Sequence, residues 1–349
     1  MSWRNKIKIR DGSQIKAELS PKKGYFSNDS RTVPMILIAL AFLTGIAEAA
    51  VTYRIYYSAN DGGPNWRILS TTIDENKKEG DRRLAIDLGP GGSLDSAHAF
   101  SSSVQKEKNG YVMYYGGNDG RNWRILRASS LDGLKWTKEG LCLNLGQAGE
   151  FDSVHMVYPY IIKDEFIYKM WYTAYDGGGH WRVGYADSAD GIIFKNRKMV
   201  LDAGPAGSLD AEHVHTPVVL KQGGIYTMFY AGYGGYPAAW RILRATSTDG
   251  LNWTKQGLAL DRGTPQEFDS TNLLCGSVIY SQGLFKLYYW AHGDIWRILY
   301  AVSKNGIDWE KKGIALDLGP LRSLDFRGLA VPAVIEEQDT GNLQEEKTK

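Results

Sequence analysis

The stretch Ser208–Pro217, SLDAEHVHTP, holds the densest ionisable cluster of the chain: Asp210, Glu212, His213 and His215. Carboxylates and imidazoles so closely spaced suit proton transfer. A glutamic acid whose pKa is raised by burial, or by a neighbouring charge such as Asp210, can hand a proton to a leaving oxygen. A second carboxylate can then act as base or steady positive charge. Glu212 is the candidate proton donor, Asp95 or Asp152 the candidate base or stabiliser, and Asp210 beside Glu212 the fourth candidate catalytic carboxylate. His98, His155 and His213 each stand three positions after an Asp, and with His215 and Tyr158 they are candidate substrate contacts. Trp66, Trp123, Trp181, Trp240 and Trp296 complete the candidate binding set. Flat aromatic faces suit the apolar faces of sugar rings, and carboxylates suit their hydroxyls.

These residues lie on a repeat. Each of the five tryptophans is followed by Arg, and 28 residues after each Arg comes an Asp: Asp95, Asp152, Asp210, Asp269 and Asp325. From each Asp to the next such Arg the distance drifts from 28 to 31. A self-similar unit of about 58 residues signals a repeat architecture. One unit divides into four short apolar or aromatic segments: Val154–Ile162, Phe166–Ala174, Trp181–Ser188 and a short run carrying Phe194. Turn residues separate them, notably YDGGG (175–179) and SADG (188–191). Four strands per repeat with regular turns predict an all-β, five-bladed β-propeller. Ring closure removes the need for capping repeats. The first strand, VTYRIYYSA, begins inside a unit, and the last, Asp325–Ile335, is expected to complete the first blade and lock the ring.

In a ring, matching residues converge. The Asp, Trp and Arg of every blade are expected on one face, with the Asp set nearest the axis. A feature repeated in all blades favours a structural job, such as an ion pair between each Asp and a Trp-Arg arginine. Asymmetry is the stronger pointer to chemistry, and Glu212 is the sole carboxylate two positions after the repeated Asp. Three histidines can bind a transition metal, but the fivefold spacing holds them apart, and no cofactor is expected. The Ser-x-Asp-Gly-x-x-Trp turns fall on the opposite face and read as turn chemistry.

Length and composition frame this reading. The chain has 349 residues, 43% hydrophobic, with 11 Trp, 21 Tyr and 40 Gly. That mix favours strands and tight turns. A net charge of +2 argues against nucleic acid as partner. Cys142 and Cys275 form no metal-type spacing and read as small strand hydrophobes. Residues 1–50 are a basic leader followed by the apolar run VPMILIALAFLTGIAEAA (33–50), ending in a small-x-small sequence. It reads as an export signal or anchor, and alternatively as a decayed inner strand. Export to the periplasm or exterior, or membrane attachment, is expected, with 51–337 as the propeller and 338–349 as a polar disordered tail.

The segments YKMWYTA (168–174), RASSLDGLKW (127–136) and RATSTDGLNW (244–253) resemble the five-bladed superfamily of arabinanases, levansucrases and invertases. The likeness spans 51–337. It implies a glycosidase using inner-strand carboxylates around the channel, one as acid and one as base or nucleophile. The positions one or two before the inner-strand prolines, where that family carries its acids, hold Val157 and Tyr158, His215 and Thr216, Ala330 and Val331. None is acidic, which turns attention to Glu212. Two functions follow. One is a monomeric enzyme acting on a glycosidic bond at the channel mouth. The other is a lectin-like propeller with repeated carbohydrate sites and no catalysis.

Overall fold

Runs such as IYKMWYTAY, rich in aromatic and apolar side chains, can be satisfied only by a strand covered on both faces. A computed structural model describes residues 51–337 and shows that solution. The proposed leader and the polar tail lie outside the described residues.

The first sheet contains β1 (Thr52–Asn60), β2 (Arg67–Asp74) and β3 (Arg83–Ile86). The second contains β4 (His98–Glu107), β5 (Gly110–Asn118), β6 (Trp123–Ser130) and β7 (Thr137–Leu143). The third contains β8 (His155–Asp164), β9 (Ile167–Tyr175), β10 (Trp181–Ser188) and β11 (Lys195–Leu201). The fourth contains β12 (His213–Gln222), β13 (Ile225–Gly234), β14 (Ala239–Ser247) and β15 (Thr254–Leu260). The fifth contains β16 (Asn272–Ser281), β17 (Leu284–His292), β18 (Trp296–Ser303) and β19 (Glu310–Leu316). The last strand, β20 (Gly328–Glu337), returns to pair antiparallel with β1, giving the order β20-β1-β2-β3. The molecule is an all-β, five-bladed propeller of four-stranded antiparallel sheets, closed by its C-terminal inner strand as the sequence predicts.

The innermost strands β4, β8, β12, β16 and β20 touch one another in a ring. Each shifts register where it faces the axis, between Phe100 and Ser102, Val157 and Tyr160, His215 and Val218, Cys275 and Ser277, and Ala330 and Ala333. At these bulges Ser101, Tyr158, Thr216 and Val331 hold left-handed backbone, with φ between 44° and 55°. Such conformations cost free energy unless neighbours fix them. Hydroxyls fix three of them. Ser58 Oγ accepts the Ser101 N–H (2.8 Å), Ser101 Oγ that of Tyr158 (3.2 Å), and Thr173 Oγ1 that of Thr216 (3.0 Å).

On the far face the Asp-Gly turns behave as predicted. Ser130 Oγ accepts the Gly133 N–H at 2.9 Å, and Asp132 Oδ1 accepts those of Leu134 and Lys135 at 2.8 Å. Gly133 adopts φ 70°, which a side chain disfavours. The aromatic that ends each such turn plugs the seam to the preceding blade. Trp136 stands edge-on to Tyr56, Phe194 to Tyr114, Trp253 to Trp171 and Trp309 to Phe229, at centroid distances of 5.3–6.2 Å. Each such pair adds about 0.5–1.5 kcal/mol beyond its burial.

Candidate functional site at the tryptophan-lined mouth

The third strand of each blade starts at a tryptophan or one residue from it, so Trp66, Trp123, Trp181, Trp240 and Trp296 gather round one end of the axis. All are partly buried and pack on one axial cluster: Phe100, Val157, Ala231, Leu274, Trp290, Ala330 and Val331, with Tyr158 beside them. Trp290, from β17, has its ring 4.5 Å from that of Trp296. The corresponding β1, β5, β9 and β13 positions hold Ser58, Gly116, Thr173 and Ala231, and the sequence reading did not single out this tryptophan.

One side of the floor differs. In the inner-strand column that faces the axis stand Phe100, Val157, His215, Leu274 and Ala330. His215 is the only ionisable member. It is buried, edge-on to Trp181 (5.2 Å), 5.2 Å from Trp240 and 4.6 Å from Tyr158. Its Nδ1 has no hydrogen-bond partner among the described residues. Burial, with a smaller push from His213, lowers its pKa from the usual 6.5 to about 3. Native His215 is therefore neutral while the unfolded chain takes up a proton below about 6.5. Stability must fall as pH drops from 6.5 towards 3. His215→Leu, matching Leu274 of the next blade, is expected to remove about 3 kcal/mol of the loss between pH 7 and pH 4. Denaturant midpoints of both proteins at the two pH values measure this. An identical acid sensitivity would show that His215 is not held neutral.

The other candidate histidines are bolts between blades. Trp66 N–H donates to His98 Nδ1 (3.3 Å), Trp123 N–H to His155 Nδ1 (3.4 Å) and Trp181 N–H to His213 Nδ1 (3.4 Å). In the fourth seam Trp240 N–H uses Asn272 Oδ1 (3.2 Å). Each imidazole also stacks on the Trp of its own blade: His98 on Trp123, His155 on Trp181 and His213 on Trp240, at 5.3–6.0 Å. Burial lowers the pKa of all three. Among the described residues no three His, Cys, Asp or Glu side chains converge to hold a metal. The residue before each of these tryptophans adds a second bolt: Asn65 Nδ2 to Ala97 O (2.7 Å), Asn122 Nδ2 to Val154 O (3.0 Å) and His180 Nδ1 to Glu212 O (2.6 Å). His180 thus joins the cluster of Glu212 and His213. Its constant spacing of 32 residues from its partner was the signal that could have found it.

The repeated Asp set is not axial, which corrects the expectation for Asp95, Asp152 and Asp210. Each carboxylate is buried and directed outward along its blade, between a second-strand tyrosine and a cation from the outer part of the sheet. Asp95 accepts from Tyr115 (2.8 Å) and Lys138 (2.6 Å), and Asp152 from Tyr172 (2.8 Å) and Arg197 (3.0 Å). Asp210 accepts from Tyr230 (3.0 Å) and Lys255 (2.6 Å). Asp269 uses Tyr289 and Lys311, and Asp325 uses Tyr57 and Arg82. Burial raises the Asp152 pKa despite its partners. For Asp325 the bonds from Ser323, Arg82 and Tyr57 outweigh burial and lower it. Nor do the Trp-Arg arginines pair with these aspartates. Arg67, Arg182, Arg241 and Arg297 pair instead with Asp87, Asp202, Asp261 and Asp317, each 20 residues on, and Arg124 reaches Asn144.

Glu212 is exposed, and its side chain has no hydrogen bond or ion pair among the described residues. The other carboxylates in the loops of this face are engaged by cations, tyrosines or backbone N–H groups: Asp61 by Gly63, Asp119 by Arg124, Glu150 by Arg197, Asp176 by Arg182, Glu267 by Thr264 and Asp294 by Arg297. Asp210 points away to Lys255, so it is not the neighbour that tunes Glu212.

No family model matches the chain. It is 28% identical over 249 residues to an uncharacterized protein of Mycobacterium tuberculosis, covering 62% of this chain and 76% of that one. Over 112 residues it is 36% identical to a 1,2-beta-oligomannan phosphorylase of Thermoanaerobacter, covering 29% of this chain and 36% of the relative. Among solved structures it is similar to a thermostable family-43 glycoside hydrolase (TM-score 0.55, 17% identity, 78% and 93% of the two chains). It is also similar to a family 117 glycoside hydrolase from Zobellia galactanivorans (TM-score 0.54, 17% identity, 68% and 75%). A third neighbour is a beta-1,2-mannobiose phosphorylase from Listeria innocua (TM-score 0.55, 13% identity, 70% and 68%). The class defined is a five-bladed propeller with the fold of the propeller glycosidases.

Proposed function

We propose that this protein is a carbohydrate-active propeller that takes a glycoside over the tryptophan-lined mouth and acts on its glycosidic bond there, with Glu212 as proton donor. The observation that carries the reading is the unengaged Glu212 carboxylate on the one side of the mouth where the apolar floor is broken, by His215. Sugar rings would lie on Trp181 and Trp240. The unpartnered Nδ1 of His215 would meet a hydroxyl, since a buried polar atom without a partner costs free energy until a ligand supplies one. His213 would stay a positioning residue between Trp181 and Trp240. The carbohydrate-active neighbours of the same fold support the substrate class.

A second reading, binding without turnover, is favoured by a separate observation. Glycoside hydrolysis takes two carboxylates. The repeated Asp set is engaged alike in every blade, which leaves Glu212 alone. With either reading go a monomer, no cofactor, and export or attachment through 33–50, each resting on sequence alone.

Calorimetric titration with an oligosaccharide panel that includes β-1,2-linked mannosides tests the site. One binding site per chain is expected, weakened at least about tenfold in Trp181→Ala. Five weak equal sites without product would select the lectin-like reading. Unchanged affinity together with unchanged stoichiometry in Trp181→Ala would remove the mouth from both.

A further inference from the structure

The ring is closed by unequal partners. Four seams are plugged by the aromatic that stands 12 residues after the Trp-Arg arginine: Trp136, Phe194, Trp253 and Trp309. At that spacing after Arg67 the first blade carries Glu79, which turns away to pair with Arg82. The seam between the last and first blades therefore lacks its plug. A hollow of about 620 Å³ lies there, on the face opposite the tryptophan mouth. That volume is in the range of small-molecule sites.

Its walls are aromatic. Tyr288, at the place of Tyr56, Tyr114, Trp171 and Phe229, forms one wall with the ring of Tyr300 stacked at 5.8 Å and 19°. Tyr53 forms another, its hydroxyl held by Ser281 (2.9 Å) and Lys286 (2.5 Å). In the first three seams the polar atom at the Tyr288 position donates to a glycine carbonyl of the next blade: Tyr56 to Gly133 O, Tyr114 to Gly191 O and Trp171 to Gly250 O, at 2.7–2.9 Å. Tyr288 is 3% exposed, and its hydroxyl, lining the hollow, has no partner among the described residues. The lysines and acids around it balance in charge: Lys77, Lys286, Lys304 and Lys312 against Asp74, Glu75, Asp308 and Glu310.

We infer that this seam hollow is a second binding site, for an uncharged planar aromatic compound bearing a carbonyl-type acceptor. Such a ligand supplies what the other seams draw from the chain itself: a ring set against the second-strand aromatic and an oxygen for the donor beside it. The inference stands independently of the reading given to the mouth.

The test uses N-acetyltryptophanamide with the full chain, by calorimetry and saturation-transfer NMR. Saturable one-site binding is expected. Tyr288→Phe keeps the ring that Phe229 supplies in the fourth blade, so it folds, and it is expected to weaken binding about three- to tenfold by loss of one hydrogen bond. Ala315→Phe, which fills the hollow, is expected to abolish binding. Absence of saturation with the wild-type chain would overturn the inference, as would equal affinity in Ala315→Phe.

Discussion

Asp152→Ala is expected to lower the thermal midpoint by on the order of 5 °C, a destabilisation of about 2–3 kcal/mol. The carboxylate is fully buried and accepts from Tyr172 and Arg197 at once. Removing it strands the buried Tyr172 hydroxyl and takes from the partly exposed Arg197 its buried partner, leaving it Glu150 alone, so the cost is mainly that of an unsatisfied buried hydroxyl and a weakened ion pair. Asp152→Asn keeps an acceptor for Tyr172 and is expected to lose less. Matching losses in Asp95→Ala and Asp210→Ala would mark the set as blade scaffolding. A variant that keeps its midpoint but loses carbohydrate turnover would return that Asp to the catalytic role first expected of it.

Glu212→Gln is expected to lower kcat by about 10²–10⁴ while KM changes little, because the amide fills the same space but delivers no proton. The deficit should shrink on an aryl glycoside with a dinitrophenyl leaving group, which departs without protonation. Stability should not change, since the side chain is exposed and unpaired. A uniform loss on good and poor leaving groups alike would assign Glu212 to binding, and full activity would place the proton donor elsewhere. Turnover by neither protein would leave carbohydrate binding as the function.

The ring was legible because its landmarks carry their own physics. Glycine-rich turns punctuate the strands, aromatics mark strands covered on both faces, and the 28-residue Arg-to-Asp spacing exposes the blade. Which residues meet was harder to read. The Asp-to-Arg pairing failed because spacing along the chain does not reveal side-chain direction. Asp152 reaches outward to Arg197, and Arg182 finds Asp202. The 20-residue interval from those arginines to their partners was in the sequence but was masked by Asn144 in one blade. His98, His155 and His213 read from the sequence as substrate contacts, whereas their inter-blade bonds are backbone-to-side-chain contacts that no motif announces. The missing plug at Glu79 needed the strand register of the whole ring before the gap could be seen.

The most direct measurement is a crystal structure of the full chain soaked with the tightest oligosaccharide of the panel. Sugar rings are expected on Trp181 and Trp240, with a hydroxyl at His215 Nδ1 and a glycosidic oxygen within hydrogen-bond reach of Glu212. Sugar bound only outside the tryptophan mouth, or a glycosidic oxygen far from Glu212 in every bound pose, would contradict the proposal.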